Sequence, residues 1–448
     1  MYNFNSRNRY PVFHYNRFHW HFENDTKLLV EFEFEINDLS VFRPKLEIHF
    51  PDAVQNNLSP LEWDQLIFHF GLVEMISYWK VTCSPAVLIH CGSLNGEQVE
   101  FWKMLFYQGL GEFRFKNNIL ANQNNFVDFF FKNSKKYPKI SHKNFLKSGL
   151  ILVPIGGGKD SVVTLEIIRK NGLFPYLFLL NPRVSSLKIA EISEIPENKW
   201  IRAKREIDKN LIALNEKGYL NGHTPFSAML AFMTILSGVP LGINYITLSN
   251  ENSAEEGNIS FHGEVVNHQY SKTYDFEKRF ISYLQTNITD QTNYFSFLRP
   301  LKELQISRLF AKYRKYHGTF RSCNVGQKND IWCGNCSKCL FVWVILSPWL
   351  PLTDMVKIFG KNLWSDLQLL ETLKQLSGLV GNKPFECVGT ISEVRTALAM
   401  SVKKMESESF PLLIEAKKWG FTNNEELVGC EHSIPEPLFE MLQHELSS

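Results

Sequence analysis

The chain has 448 residues, 44% of them hydrophobic and 21% charged, which suits a soluble globular protein of two or three domains. Its 48 Lys and Arg against 46 Asp and Glu leave a net charge of +2, so no global electrostatic case points to nucleic acid or a membrane surface as a partner. The opening M-Y-N-F-N-S-R-N-R-Y lacks the apolar stretch of a signal peptide, and no run of about 18 apolar residues predicts a transmembrane helix.

Residues 1 to about 60 alternate as strands do. A period of two runs from Val30 to Ile36, and 46–50 repeats it. Residues 61–78 and 96–107 read as helices, followed by the polar, aromatic run 108–113. We read 1–147 as an N-terminal α+β domain. From 148 the pattern becomes strands alternating with helices, with strands at 150–153, 176–180 and 243–248 and a helix at 226–236. That order predicts an α/β fold, a parallel, doubly wound sheet spanning 148–345. Ligands of such sheets lie at the carboxyl ends of the strands, here Gly156 to Ser161, Asn181, and Ser249, Asn250 and Glu251. The remaining 346–448 is charge-mixed and helical. No internal repeat or low-complexity segment occurs.

The first strand end carries V-P-I-G-G-G-K-D-S-V-V, residues 153–163. A strand, a glycine turn and a helix start present bare backbone N–H groups at the positive end of a helix dipole, an arrangement that binds phosphate. Glycine permits positive φ and close approach of an anion. Asp160 and Ser161 stand at the helix start, where short polar side chains satisfy free N–H groups. Lys159 is followed by Asp160, so this is not the G-x-x-x-x-G-K-[S/T] loop, and the G-x-G-x-x-G spacing is absent. The loop resembles S-G-G-x-D-S of the ATP-pyrophosphatases, which split ATP between its α and β phosphates and adenylate a substrate oxygen. Gly157, Gly158, Asp160 and Ser161 match, while Gly156 replaces the opening Ser.

Of eight cysteines, four form Cys323-x9-Cys333-G-N-Cys336-S-K-Cys339. This spacing closes a four-thiolate shell around structural Zn²⁺, with an iron–sulfur cluster as the rival. Gly334 eases the turn, and Lys328 and Lys338 offset thiolate charge. Similar spacing follows the nucleotide core in the cyano-deazaguanine synthases of queuosine biosynthesis. A reducing, cytoplasmic compartment is expected. Cys83, Cys91, Cys387 and Cys430 stand apart, and most of them read as packed small residues.

Further polar clusters are N-H-Q-Y-S-K (267–272), Arg299, and H-G-T-F-R (317–321), whose cations suit a pyrophosphate or an acidic substrate. Thr224 is expected to cap the helix at 226, beside His223 as an anion contact. Each also has a plain structural reading as a surface loop or a salt-bridged residue.

Taken together, Y-W-K-V-T-C-S-P (78–85), Y-Q-G-L-G-E-F (107–113), G-G-G-K-D-S (156–161), S-N-E-x-S-A-x-E-G-N (249–258), N-H-Q-Y-S-K (267–272), C-G-N-C-S-K-C (333–339) and K-P-F-E-C-V-G-T (383–390) resemble one family. It is the ATP-dependent UDP-N-acetylmuramoyl-L-alanyl-L-glutamate epimerases of an alternative peptidoglycan route. The resemblance implies a nucleotide core like that of the adenine nucleotide alpha hydrolases, and ATP, Mg²⁺ and structural Zn²⁺ as cofactors. It also implies a UDP-linked muramoyl dipeptide substrate. ATP would adenylate the α-carboxylate of the terminal L-Glu, and a base would then remove the more acidic α-proton. Asp160 is expected at the phosphates, through Mg²⁺. Cys387 or His268 is expected as acid/base, with Lys80, Cys83 and Tyr107 next. The alternatives are another adenylating enzyme of the same loop type, modifying tRNA or a deazapurine, and a non-enzymatic nucleotide-binding module.

Overall fold

Every second residue of Lys27–Ile36 is buried, so the period of two reflects one face of a strand packed on a core. The computed structural model describes residues 5–141, 149–423 and 431–447. Cys430 and the expected 147/148 boundary lie outside them. Thirteen strands are described: β1 (Val12–Asn24), β2 (Lys27–Ile36), β3 (Ser40–Phe42), β4 (Lys45–His49), β5 (Ala86–Ile89), β6 (Asp128–Phe131), β7 (Ile151–Pro154), β8 (Tyr176–Leu180), β9 (Trp200–Glu206), β10 (Tyr245–Leu248), β11 (Ile259–Phe261), β12 (Glu264–Val266) and β13 (Asn293–Ser296).

Eleven of them form one mixed sheet in the order β13-β10-β7-β8-β9-β4-β2-β1-β5-β6, with β3 pairing β2. From β13 to β9 all neighbours are parallel. β9 then pairs antiparallel with β4, Glu206 opposite Lys45 and Arg202 opposite His49. The N-terminal strands therefore extend the same sheet. In the parallel part the chain steps outward from β7 through β8 to β9, then returns to the other side of β7 for β10 and β13. The order reverses beside β7, and such a reversal opens a crevice at the carboxyl ends of the strands.

Both faces of this part are buried, which is why β7 and β8 are apolar throughout rather than alternating. Leu152, Tyr176, Phe178, Ile246 and Leu248 join the core that includes the helices Pro60–Glu74 and Phe226–Gly238. Ile151, Val153, Leu177 and Leu179 join a second core with the helices Lys159–Lys170, Glu303–Lys312 and Ser337–Leu346. The C-terminal residues pack on that second core. Thr390 and Glu393 form a reciprocal cap on Ile391–Lys404, and Lys170 reaches Glu445 of Glu436–Ser447 at 2.7 Å. Among the described residues no helix is long and apolar enough to cross a membrane.

Candidate active site

The glycine run leaves β7 and enters Lys159–Lys170, with Gly158 as the residue before the first helical turn. Gly157 has φ of 92°, and a Cβ there would stand 2.7 Å from Ser185 Oγ. A Cβ on Gly158 would lie 3.0 Å from Ser322 Oγ, whereas one on Gly156 would meet nothing within 4 Å. Only Gly157 thus needs glycine for both conformation and space. Two residues brace the run: Arg183 Nη2 donates to the Gly156 carbonyl at 2.8 Å, and the backbone N–H of Arg321 donates to that of Gly157 at 2.8 Å.

A cavity of about 350 Å³ opens over this loop at the ends of β7 and β10. Gly156, Gly158, Asp160 and Ser161 line one wall, and Ser249 and Asn250 continue it beyond β10. His223, Phe226 and Ser227 come from the start of Phe226–Gly238, which begins after Pro225 without a side-chain cap. The expected cap by Thr224 is therefore replaced by proline, whose fixed φ starts the turn. Arg183, Arg321, Ser322, His268, Lys272 and Cys387 complete the lining.

Beneath the loop lies a charged cluster. Lys159 is buried and bonded to both Asp160 and Glu303. Oxygen atoms of Asp160, Glu251 and Glu303 lie within 4.8 Å of one another, a grouping that can hold a cation. Burial and the neighbouring Asp160 and Glu251 charges push the Glu303 carboxyl up to about 7 against the pull of Lys159. The three carboxylates face the buried ammonium groups of Lys159 and Lys272, and their oxygens are the ligand type that suits a divalent cation. Burial opposes ionisation of Asp160, but Lys159 outweighs it and holds that carboxyl below its ordinary value.

Also on the cavity lining, His268 is 4% exposed. Its Nδ1 and its backbone N–H each lie 3.0 Å from Asn258 Oδ1. Its ring meets His223 at a tilt of 74°, with centroids 5.5 Å apart. Glu112 approaches His223 Nδ1 at 3.8 Å and binds Lys116. Burial, reinforced by surrounding cations, lowers His268 to about 4 and His223 to about 3. Lys272 is held protonated: burial opposes it, but Cys387, Glu251 and Asp160 outweigh that effect. The cation beside the Cys387 thiol is therefore Lys272. Lys383, nearer in sequence, pairs with Glu256 at 2.8 Å. Lys338 donates to the Cys387 carbonyl and anchors the segment.

The four clustered cysteines converge. Cys323 Sγ lies 3.9 Å from Cys336 Sγ, Cys333 Sγ lies 3.7 Å from Cys339 Sγ, and all four sulfurs fall within 4.8 Å of one another. Metal–sulfur bonds of about 2.3 Å in a tetrahedron require sulfurs about 3.8 Å apart, so the set fits one metal ion. An iron–sulfur cluster spreads its cysteines over two or more irons and does not fit that spacing. Backbone N–H groups of Gly326, Cys333, Asn335 and Cys339 point at the sulfurs and disperse their charge.

Several expected site residues stand elsewhere. Asn181, at φ 41°, exchanges hydrogen bonds with the backbone of Arg205 and does not line the cavity. Lys159, Gly157 and Glu251 support the cavity from behind rather than facing it. Arg299 is buried against Glu277 and the Glu251 and Lys272 carbonyls, and His317 binds the Phe310 carbonyl. Lys80 holds the Gly222 carbonyl, Cys83 sits under Arg7, and Tyr107 donates to Glu264. None of these lines the cavity. Sequence reasoning missed Glu303 and Arg183. An acidic residue in a first helical turn, as Glu303 is, ordinarily answers the helix dipole, so it carried no separate signal.

A parallel array with a glycine loop where the strand order reverses, a carboxylate cluster and four convergent cysteines that could hold a metal ion define a mixed α/β protein with a cavity at its strand ends. The chain belongs to the MurL family: residues 4–297 match the MurL N-terminal domain and 319–425 the MurL C-terminal domain. A relative from Xanthomonas oryzae pv. oryzae, named UDP-N-acetyl-alpha-D-muramoyl-L-alanyl-L-glutamate epimerase, is 33% identical over 75% of this chain and 74% of its own length. One of the same name from Salinispora tropica is 33% identical over 73% and 71%. No solved structure matches the chain.

Proposed function

We propose that this protein is an isomerase of peptidoglycan precursor synthesis, converting the terminal L-Glu of UDP-N-acetylmuramoyl-L-alanyl-L-glutamate to D-Glu at the expense of ATP. The parallel half of the sheet acts as a doubly wound nucleotide core. The N–H groups of the glycine run and the start of Lys159–Lys170 hold the ATP phosphates. Asp160, Glu251 and Glu303 would hold Mg²⁺, which would supply positive charge to the departing pyrophosphate. An α-carboxylate oxygen of the substrate attacks the α-phosphorus, the α–β bridge breaks, and pyrophosphate leaves.

Neutralising the carboxylate as a mixed anhydride removes the repulsion that would oppose a second negative charge at the α-carbon. His268 and Cys387 exchange the α-proton, and water then releases AMP and the D-Glu product. Cys323, Cys333, Cys336 and Cys339 would hold Zn²⁺, which would stiffen the segment carrying Arg321 and Ser322 against the glycine run. What most supports this reading is one observation: the glycine run, Asp160, His268 and Cys387, spread over more than two hundred positions, line a single cavity. The test is pyrophosphate release with ATP and UDP-MurNAc-L-Ala-L-Glu, against the free amino acid, a tRNA and a deazapurine as acceptors. Release with the muramoyl dipeptide alone is expected. Release with another acceptor alone would reject the reading.

A further inference from the structure

His268 presents two ring nitrogens, and only a deprotonated one can take a proton. Which one is free depends on Asn258. The short hairpin β11–β12 pairs Ile259 with Val266, so Asn258 and His268 meet at its open end, ten positions apart in sequence. Asn258 is 8% exposed, and its backbone N–H donates to the Val266 carbonyl at 2.8 Å, which fixes its place.

Both ends of the Asn258 amide are determined by unambiguous partners. The atom facing the His268 backbone N–H at 3.0 Å must be an acceptor, hence Oδ1. The atom facing the Pro384 carbonyl at 3.2 Å must be a donor, hence Nδ2. Oδ1 therefore also receives His268 Nδ1 at 3.0 Å, and Nδ1 must carry the hydrogen. In a neutral ring the lone pair then sits on Nε2. Nε2 has no protein partner among the described residues, and His268 lines the cavity.

We propose that Asn258 is a positioning residue that locks His268 in the tautomer with a basic Nε2, making this atom the base that takes the glutamate α-proton. The inference rests on the function proposed above. In the step, the Cα–H bond breaks, its proton moves to Nε2, and its electron pair passes into the adenylated carboxyl as an enolate. The imidazolium so formed keeps Nδ1–H on Asn258 Oδ1. The same amide holds Pro384, so one side chain ties the His268 ring to the segment that carries Cys387.

The groups facing the ring come from every element around it. They are His223 before Phe226–Gly238, Glu112 from the helix Gly111–Lys116, Lys272 from its own segment, Lys338 from Ser337–Leu346, and Lys383 from the Cys387 segment. Burial, together with three lysines against one glutamate, favours the neutral ring. The negative phosphates of a bound substrate and nucleotide oppose those lysines and strengthen the base in the occupied cavity.

The test compares wild type with Asn258→Asp and Asn258→Ala in two assays. ATP–pyrophosphate exchange with UDP-MurNAc-L-Ala-L-Glu reads adenylation alone. Uptake of solvent deuterium at the glutamate α-carbon, followed across pH, reads the base. Aspartate still accepts from Nδ1–H and stabilises the imidazolium. Its acid limb should therefore move to higher pH by about one to three units, with deuterium uptake recovered above it. Asn258→Ala should lose about 10- to 100-fold in uptake, part of the 10²–10⁴ that a positioned base supplies, with adenylation retained. A wild-type uptake profile in either variant overturns the inference, as does joint loss of adenylation and uptake in Asn258→Ala. Absence of adenylation in wild type would instead reject the proposed function. Nitrogen NMR of ¹⁵N-histidine-labelled protein would still decide the tautomer, with hydrogen on Nδ1 supporting the lock and hydrogen on Nε2 overturning it.

Discussion

Gly157→Ala tests the phosphate loop through two costs that the structure specifies. At φ 92° a Cβ meets its own backbone, a penalty of about 1–2 kcal/mol. That Cβ also stands 2.7 Å from Ser185 Oγ, and Ser185 cannot readily withdraw. Its hydroxyl donates to Asp330 Oδ1 at 2.7 Å, its N–H is held by the other oxygen of Asp330, and the residue is 1% exposed. Overpacking of this kind adds about 1–3 kcal/mol. The protein either bears the strain, lowering its melting midpoint, or relieves it by moving the loop. If about 1.4 kcal/mol of the strain is relieved that way, the KM for ATP rises about tenfold. Thermal melting and the ATP dependence of pyrophosphate release measure the two shares. Gly156→Ser is the control, because its Cβ enters open space and it restores the residue found in the related loops. Wild-type melting and KM in Gly157→Ala, or equal damage from Gly156→Ser, would refute the reasoning.

Asp160→Ala should lower pyrophosphate release at least about 100-fold with unchanged circular dichroism; retained release would remove Asp160 from the phosphate site. Cys336→Ser should lose one equivalent of zinc by elemental analysis and melt at a lower temperature, since metal binding is coupled to folding; full zinc content would contradict the four-sulfur assignment. His268→Gln should stop α-deuterium uptake and Cys387→Ser should stop formation of D-Glu, while ATP–pyrophosphate exchange persists in both; wild-type uptake and epimerisation in both would place the acid/base elsewhere. Acid sensitivity has a separate source in His69, which is buried with Nε2 unpartnered and whose value burial lowers from 6.5 to about 4. The unfolded chain takes the proton near 6.5 and the folded one only near 4, so stability is lost as pH falls through that window, by about 3 kcal/mol. Denaturant unfolding at pH 7 and pH 4 should show a smaller loss for His69→Phe than for wild type; an equal loss would exclude His69.

Local features were legible in the sequence because their cause is local. One-sided burial writes a period of two into β2, and burial on both faces makes β7 and β8 continuously apolar. The cysteine spacing and the glycine run stand out within a few residues, and the four cysteines do converge. What escaped was long-range. β4 and β9 pair across more than 150 positions, and nothing in either strand's periodicity names the other. Glu303 and Asp160 share Lys159 only because two helices pack side by side. Asn258 stood inside a quoted motif, yet its part depends on a hairpin whose exposed Val265 gives little apolar signal. Asn181 shows the reverse error: a polar residue at a strand end was expected at the ligand, but its amide serves the neighbouring Arg205 backbone.

The most direct test is one incubation in deuterium oxide with ATP and UDP-MurNAc-L-Ala-L-Glu. The account predicts AMP and pyrophosphate in equal amounts, together with muramoyl dipeptide whose terminal residue is D-Glu carrying deuterium at the α-carbon. ADP and phosphate as products, or D-Glu that keeps its original α-proton, would contradict it.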